Sequence, residues 1–375
     1  MNVALGNATD NKIVVASSGN ITISSTIIGT SRPLTITGTG TGRVEITSSA
    51  NSFTGSISIT GAEAQFSADG SFGNSNNSIT IDGGKLSTAG TFTLASTHNV
   101  FVGGTSGSAI SPLGTLTYSG VVADKSGSTG HLVKQGVATL ALGGVSTYSG
   151  DTRINNGTLR LLTGANRLPT GTVVSLGEST STALATFDLN GQDQTIAGLL
   201  STTGTASILT NVGGNNTVTT ATAATLTLGG SGTYSYGAAT DANSGVITGA
   251  ISIVKTGTGT QTFGDINTYT GATTITGGTL ALGSSGSINN SSGITVGVNG
   301  TYDVSAVTGY TLGSSTAQTL QGSGTVVGGV TVASGSTIRG GDAATAGTLT
   351  LTDGLTLNSG ARICINIDAA GNSAA

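Results

Sequence analysis

In TLTLTDGLTLNSG, residues 348–360, Leu alternates with Thr on either side of an Asp-Gly break. A period of two sends successive side chains to opposite faces of a strand, one buried and one wet. Short runs of the same kind recur along the chain as TLAL (139–142), TRIN (152–155), TLRLL (158–162), TVVSL (172–176) and ATFDL (185–189). Each is rich in Val, Ile, Leu and Thr and is broken by Gly, Asn or Ser, which reads as strand and corner. No long stretch follows a 3.6-residue period, so the pattern predicts an all-β chain.

The strands are organised by repetition. NTYTGATTITGGTLALG at 267–283 has a near copy at 146–162, STYSGDTRINNGTLRLL, and a looser one at 51–67, NSFTGSISITGAEAQFS. Lys134 and Lys255, Tyr148 and Tyr269, and Gly157 and Gly278 are all separated by the same offset, so the later two copies align without a gap. Repeat copies are expected near 34–84, 132–177 and 253–297, with repeat positions Phe53, Gly55, Tyr148, Gly150, Gly157, Tyr269, Gly271 and Gly278. Self-similarity of this kind decides architecture before length does. Related strand positions recur about 20 residues apart, which suits a coil of two or three short strands stacked in parallel on the next. Because crossovers between parallel strands favour one hand, the pattern predicts one continuous right-handed parallel β-helix (a β-solenoid) over residues 1–375. At that pitch it has about 19 coils and forms an elongated rod about 90 Å long.

Composition sharpens this picture. Of 375 residues, 63 are Gly, about one in six against an average near 7%, and only 7% are charged. Gly and Asn supply the corners, where positive φ is needed. Thr covers the outward faces without charge, and Leu, Ile and Val stack inside. The aromatic of SFTG, TYSG and TYTG is expected at one corner, fixing the register through its large buried area. The net charge of −4 comes without a basic patch, so nucleic acid is not an expected partner. No run of 18 apolar residues exists to insert into a membrane. The single cysteine, Cys364, reads as a small buried hydrophobe. The N-terminus MNVALGNATDNK lacks the basic and apolar regions of a signal peptide and reads as the start of a trimmed chain.

Residues 257–283 closely resemble the autotransporter-associated β-strand repeat, also called the passenger-associated transport repeat. Residues 136–162 are similar, with Val137 and Ala138 in place of Gly-Thr and Ser146 in place of Asn. The copy at 38–60 keeps Asn51, Phe53, Thr54 and Gly55. The tail at 324–368 is similar to the stretch that follows such repeats, with Gly340, Gly341 and Asp342 where the family has a Pro-Gly-Asn turn. The resemblance implies the passenger region of a large bacterial surface protein: β-helical, extracellular, and adhesive or structural. It implies a Gram-negative source. The partners it leaves open are a cell-surface or glycan ligand and end-to-end self-association, the latter through ARICINI meeting NKIVVAS (residues 11–17).

Chemistry is thin on the ground, and neither cofactor nor metal site is expected. The rival reading is a β-helix enzyme that binds or degrades polysaccharide, which needs paired carboxylates. Asp188 with Asp193 in DLNGQDQ is the nearest pair, with Glu178 upstream, but corner acids usually bond their own backbone. His98 and His131 lack a partner pattern and read as exposed or corner residues. IDGGK at 81–85 is a lone Asp-Gly-Gly rather than a calcium-binding repeat, and GTGTG at 38–42 reads as a turn. A third class, ice binding, rests on recurring Thr-x-Thr and requires one uninterrupted threonine face.

Overall fold

The computed structural model describes residues 2–6, 10–16, 18–104, 108–177, 184–201, 216–237 and 245–365. Among these, every element is a strand except one 3-10 turn at Asp69–Phe72, and every ladder between named strands is parallel. The chain is a β-solenoid of about 14 turns. It divides into two compact units, Met1–Asp188 and Leu189–Ala375.

In the first unit, one sheet climbs through Asn11–Val15, Leu34–Gly38, Ile57–Thr60, Ile79–Asp82, Val100–Val102 and Val122–Asp124. A second rises from Ile21–Ile23 to Val173–Leu176, and a third from Phe92–Leu94 to Ala185–Asp188. Between these sheets the alternation seen in sequence becomes columns. Leu34, Ile57, Ile79, Val100 and Val122 lie in register one above another, and each is buried. Ile36, Ile59, Ile81 and Val102 make the next column. Each such side chain contributes about 1.5–3 kcal/mol by leaving water. The core is therefore thin but continuous within the unit.

The second unit repeats the scheme. One sheet runs from Gln194–Ile196 to Arg362–Cys364 by way of two ten-residue strands, Thr273–Leu282 and Ile294–Asp303. Thr273–Leu282 pairs with two shorter strands before it and Ile294–Asp303 with two after it, and the register between the long strands shifts between Ile275 and Gly277.

Coils vary in length, and many are longer than the 20 residues read from sequence. Thr139 pairs Thr158, a step of 19, but Lys85 pairs Ala109, a step of 24, and Gly157 pairs Ala185, a step of 28. The physical reason is that only the inward columns fix the pitch. Corners accept extra residues at little cost, because loop closure grows slowly with length. The count of turns falls accordingly below 19.

Candidate functional site

Tyr148 and Tyr269 occupy the corner expected of them, and both are buried. Their surroundings match atom for atom. The Tyr148 hydroxyl is 2.5 Å from Thr152 Oγ1, which is 3.0 Å from Thr172 Oγ1, which donates to the Gly150 carbonyl at 2.9 Å. The Tyr269 hydroxyl is 2.7 Å from Thr273 Oγ1, which is 2.9 Å from Ser291 Oγ, which donates to the Gly271 carbonyl at 3.0 Å. Thr152 and Thr273 stand in inward columns, between Leu132 and Val174 and between Ile253 and Ile294. The chain of hydroxyls thus ties each of these rungs to the next. Burial drives both phenols well above their usual range, so they stay neutral donors.

The glycines of the motif are placed by close approach. A Cβ on Gly150 would meet the Gly130 carbonyl oxygen at 2.5 Å, one on Gly271 the Ile251 oxygen at 2.2 Å, and one on Gly55 the Arg32 oxygen at 2.4 Å. Gly157 (φ 66°) and Gly278 (φ 62°) add a left-handed backbone to the same crowding, which only glycine tolerates.

Two features of the repeat were not legible as site residues. Lys134 and Lys255, used above only as alignment markers, sit in inward columns. Ile110, Lys134, Ile154 and Leu176 are in register, as are Leu228, Lys255, Ile275 and Val296. Both lysines are buried. The Lys134 Nζ donates to the carbonyls of Gln135, Gly136 and Asn156, each at 2.8 Å. The Lys255 Nζ donates to Gly257 and, at 3.4 Å, to Gly277. Burial pushes the Lys134 ammonium down to about 7 and lowers that of Lys255, while the ring of carbonyl oxygens favours its charge. A lysine two residues before a repeated glycine, at the end of an apolar run, was the available signal.

The second feature is the Asn that opens the motif. Asn267 accepts from the Ile247 N–H at 2.9 Å and donates to Asp265 (2.9 Å) and Ser287 (3.4 Å) carbonyls. Asn51, in the first copy, accepts from Ile27 N–H at 2.8 Å and donates to the Ser71 carbonyl at 2.9 Å. Phe53 is buried beside it, without a hydroxyl to join a network. Ser146 takes this position in the middle copy. It is buried, and its Oγ has no hydrogen-bond partner.

Outside the repeats, the candidate chemistry is spent on structure. Asp188 lies in the first unit and accepts from Arg160 Nε at 2.7 Å. Asp193 lies in the second and accepts from the Thr225 N–H at 2.7 Å. Glu178 lies outside the described residues. His98 requires a correction: it is neither exposed nor without an acid nearby. It is fully buried beside Phe72, its Nδ1 is 2.7 Å from the Asn77 carbonyl, and its Nε2 lies 3.6 Å from Asp69 Oδ1. The aromatic cluster of Phe66, Phe72 and Phe92 draws it inward. His131 is partly exposed and accepts from the Asp151 N–H at 3.0 Å. Asp82 of IDGGK pairs with Lys125. Among the described residues no group of three or more His, Cys, Asp or Glu is placed to hold a metal ion, and no helix is long and apolar enough to cross a membrane. Cys364 is half-buried in an end strand, less enclosed than expected.

The threonine pattern is half right. Thr233, Thr260, Thr279, Thr301, Thr325 and Thr350 form an uninterrupted outward column in the second unit. The column beside it reads Ser235, Thr262, Ala281, Asp303 and Val327. One column is not the flat face that ordering ice would need.

The fold and its corner define a β-solenoid whose rungs are stapled at a repeated corner, Ser-x-Tyr in one copy and Asn-x-Tyr in the other. The chain contains two passenger-associated transport repeats, matched at residues 132–161 and 253–282. It is 32% identical over 206 residues to the adhesin BmaC autotransporter of Brucella suis biovar 1 (strain 1330), a stretch that is 54% of this chain and 5% of that protein. No solved structure matches it.

Proposed function

We propose that this chain is part of the passenger of a secreted bacterial surface protein and acts there as a non-enzymatic adhesive scaffold. One observation carries the reading: the polar groups of the repeat point inward and are spent on joining rungs, while the sequence pattern matches a transport repeat and a stretch of an adhesin. Asp188 and Asp193, the acids a polysaccharide-cleaving enzyme would need, each hold a separate structural partner. The test is display of the chain on a Gram-negative host through a translocator barrel, with adherence to epithelial cells and matrix proteins counted. Adherence above that of the empty translocator is expected; none above background would remove the adhesive role.

A second reading, end-to-end association, is favoured by an apolar row at residues 351–363. Leu351, Leu355, Leu357 and Ile363 continue columns whose preceding members, Val326, Val330, Val332 and Ile338, are buried. Leu355, Leu357 and Ile363 are 38%, 44% and 50% exposed, and Leu355 and Ile363, with Leu351 and Ile338, line a cavity of about 280 Å³. A row of half-exposed apolar side chains of this kind can accept strand addition, and a second copy is the occupant we propose. The expected docking segment ARICINI runs past Ile365, so its last two residues lie outside the described part, as does Ser17 of NKIVVAS. Negative-stain microscopy at high concentration should show filaments, and single particles throughout would count against stacking.

A further inference from the structure

We propose that each of the two matched repeats carries a shallow groove that binds a neutral glycan chain. This rests on the adhesive reading and gives it a ligand class. In the first unit a groove of about 450 Å³ runs beside the Tyr148 corner, lined by Val145, Ser146, Thr147, Ser149, Asn166 and Thr170 among others. In the second, a groove of about 410 Å³ is lined by Ile266, Ser284, Ser287, Asn289, Tyr310 and Ser314. Both volumes lie within the range of small-molecule sites. Val145 and Ile266 are equivalent, each directly preceding the opening residue of its motif. Neither groove was visible in the sequence, because each is made by neighbouring coils.

Three observations select the ligand. First, no charged side chain lines either groove, so a phosphate, sulfate or carboxylate group finds no counter-ion there. Second, most residues lining each groove carry a hydroxyl or amide, set in a surface more apolar than polar around one exposed β-branched residue, Val145 (52% exposed) or Ile266 (64%). This suits a sugar ring, which is polar at its edge and apolar on its C–H face. Third, each groove holds a buried polar atom without a partner. In the first it is Ser146 Oγ, on a residue 3% exposed. In the second it is Asn289 Oδ1, whose own Nδ2 donates to Ser314 Oγ at 2.6 Å. An unpaired buried polar group costs free energy that a ligand hydroxyl recovers. The ordinary explanation of an orphaned Ser146, a lost Asn, does not account for the orphan at Asn289.

The test applies the purified chain to an array of neutral oligosaccharides, with heparin and sialylated glycans as anionic controls, and follows hits by titration calorimetry. Val145→Arg and Ile266→Arg alter exposed positions, and circular dichroism checks that the fold is kept. We expect binding to at least one neutral glycan at two sites, one site in each single variant, and at least a tenfold loss of affinity in the double variant. Retention of no neutral glycan, binding to the anionic controls alone, or unchanged affinity in the double variant would each overturn the assignment. If the displayed double variant adheres to cells as well as the parent chain, the grooves are not the adhesive sites and the adhesive reading stands. If the parent chain does not adhere, that reading fails separately.

Discussion

The corner at Tyr148 and the corner at Tyr269 share a hydroxyl chain, a buried lysine and two crowded glycines, yet they differ at the residue that opens the motif. Asn267 joins three backbone groups across neighbouring rungs, whereas Ser146 lies buried with an idle hydroxyl. The lysines differ likewise, with three short bonds around Lys134 and two uneven ones around Lys255. What survives in both copies is what a parallel stack cannot do without: an aromatic that fills the corner and a relay that pins one rung to the next. What varies is the number of backbone groups each corner satisfies. The comparison teaches that the repeat is a mechanical element with tunable strength, and each substitution below pulls on one of its parts.

The aromatic should matter most. Tyr148→Ala or Tyr269→Ala leaves a cavity in a core only one side chain deep, which should cost about 4 kcal/mol. Tyr→Phe at either site keeps the volume and breaks the link to Thr152 or Thr273, at about 1 kcal/mol. Urea unfolding followed by circular dichroism measures both. Equal costs for Phe and Ala would mean that the hydroxyl relay, and not the filled corner, sets the register.

Removing the lysine head comes next. Lys134→Met strands three carbonyls and should cost about 2 kcal/mol, while Lys255→Met should cost about 1 kcal/mol. Equal losses in the two variants would show that stem packing outweighs the carbonyl ring.

The opening residue gives a smaller effect with opposite signs. Ser146→Asn should stabilise the chain by about 1 kcal/mol, and Asn267→Ser should destabilise it by about the same amount. If Ser146→Asn destabilises instead, the space beside Val145 is not free to hold an amide, and the difference between the copies is one of shape.

How much of this was legible in the sequence follows from which distances are local. Leu-Thr alternation and the fixed offset between Tyr148 and Tyr269 specify strands, corners and stacking without further information, because register in a solenoid is a one-dimensional property. Gly157 and Gly278 were legible as corners for the same reason. The coil length was misjudged because the step from one rung to the next varies, as from Lys85 to Ala109, without disturbing the columns. His98 was misread because its burial comes from Phe72, and its neighbour Asp69 is brought up by the coil below. The grooves were invisible because their walls are two coils, and nothing along a single strand announces the atoms supplied by the next.

The last difference between the corners is electrostatic. Asp124 lies one coil before Tyr148, and Asp265 lies just before Tyr269. Burial pushes the Asp124 carboxyl up, but the N–H and hydroxyl of Ser149 and the N–H of Gly130 outweigh it and hold the group below its ordinary 3.8. Burial dominates at Asp265 and raises it above 3.8 against the single N–H of Gly245. The two therefore act on stability with opposite slopes. For Asp124 the unfolded chain binds the proton more readily, so its contribution is present above pH 3.8 and is lost as pH falls through the lower folded value. For Asp265 the folded chain holds the proton, so its contribution is present below pH 3.8 and fades as pH rises through the higher folded value. Asp124→Asn should lower the melting temperature most at pH 6 and least at about pH 3, and Asp265→Asn should become relatively more favourable over the same rise. Melting curves of both variants and the parent across that range decide it. Parallel slopes would mean that the two corners share one electrostatic environment, and that their difference at Ser146 and Asn267 is confined to hydrogen bonding.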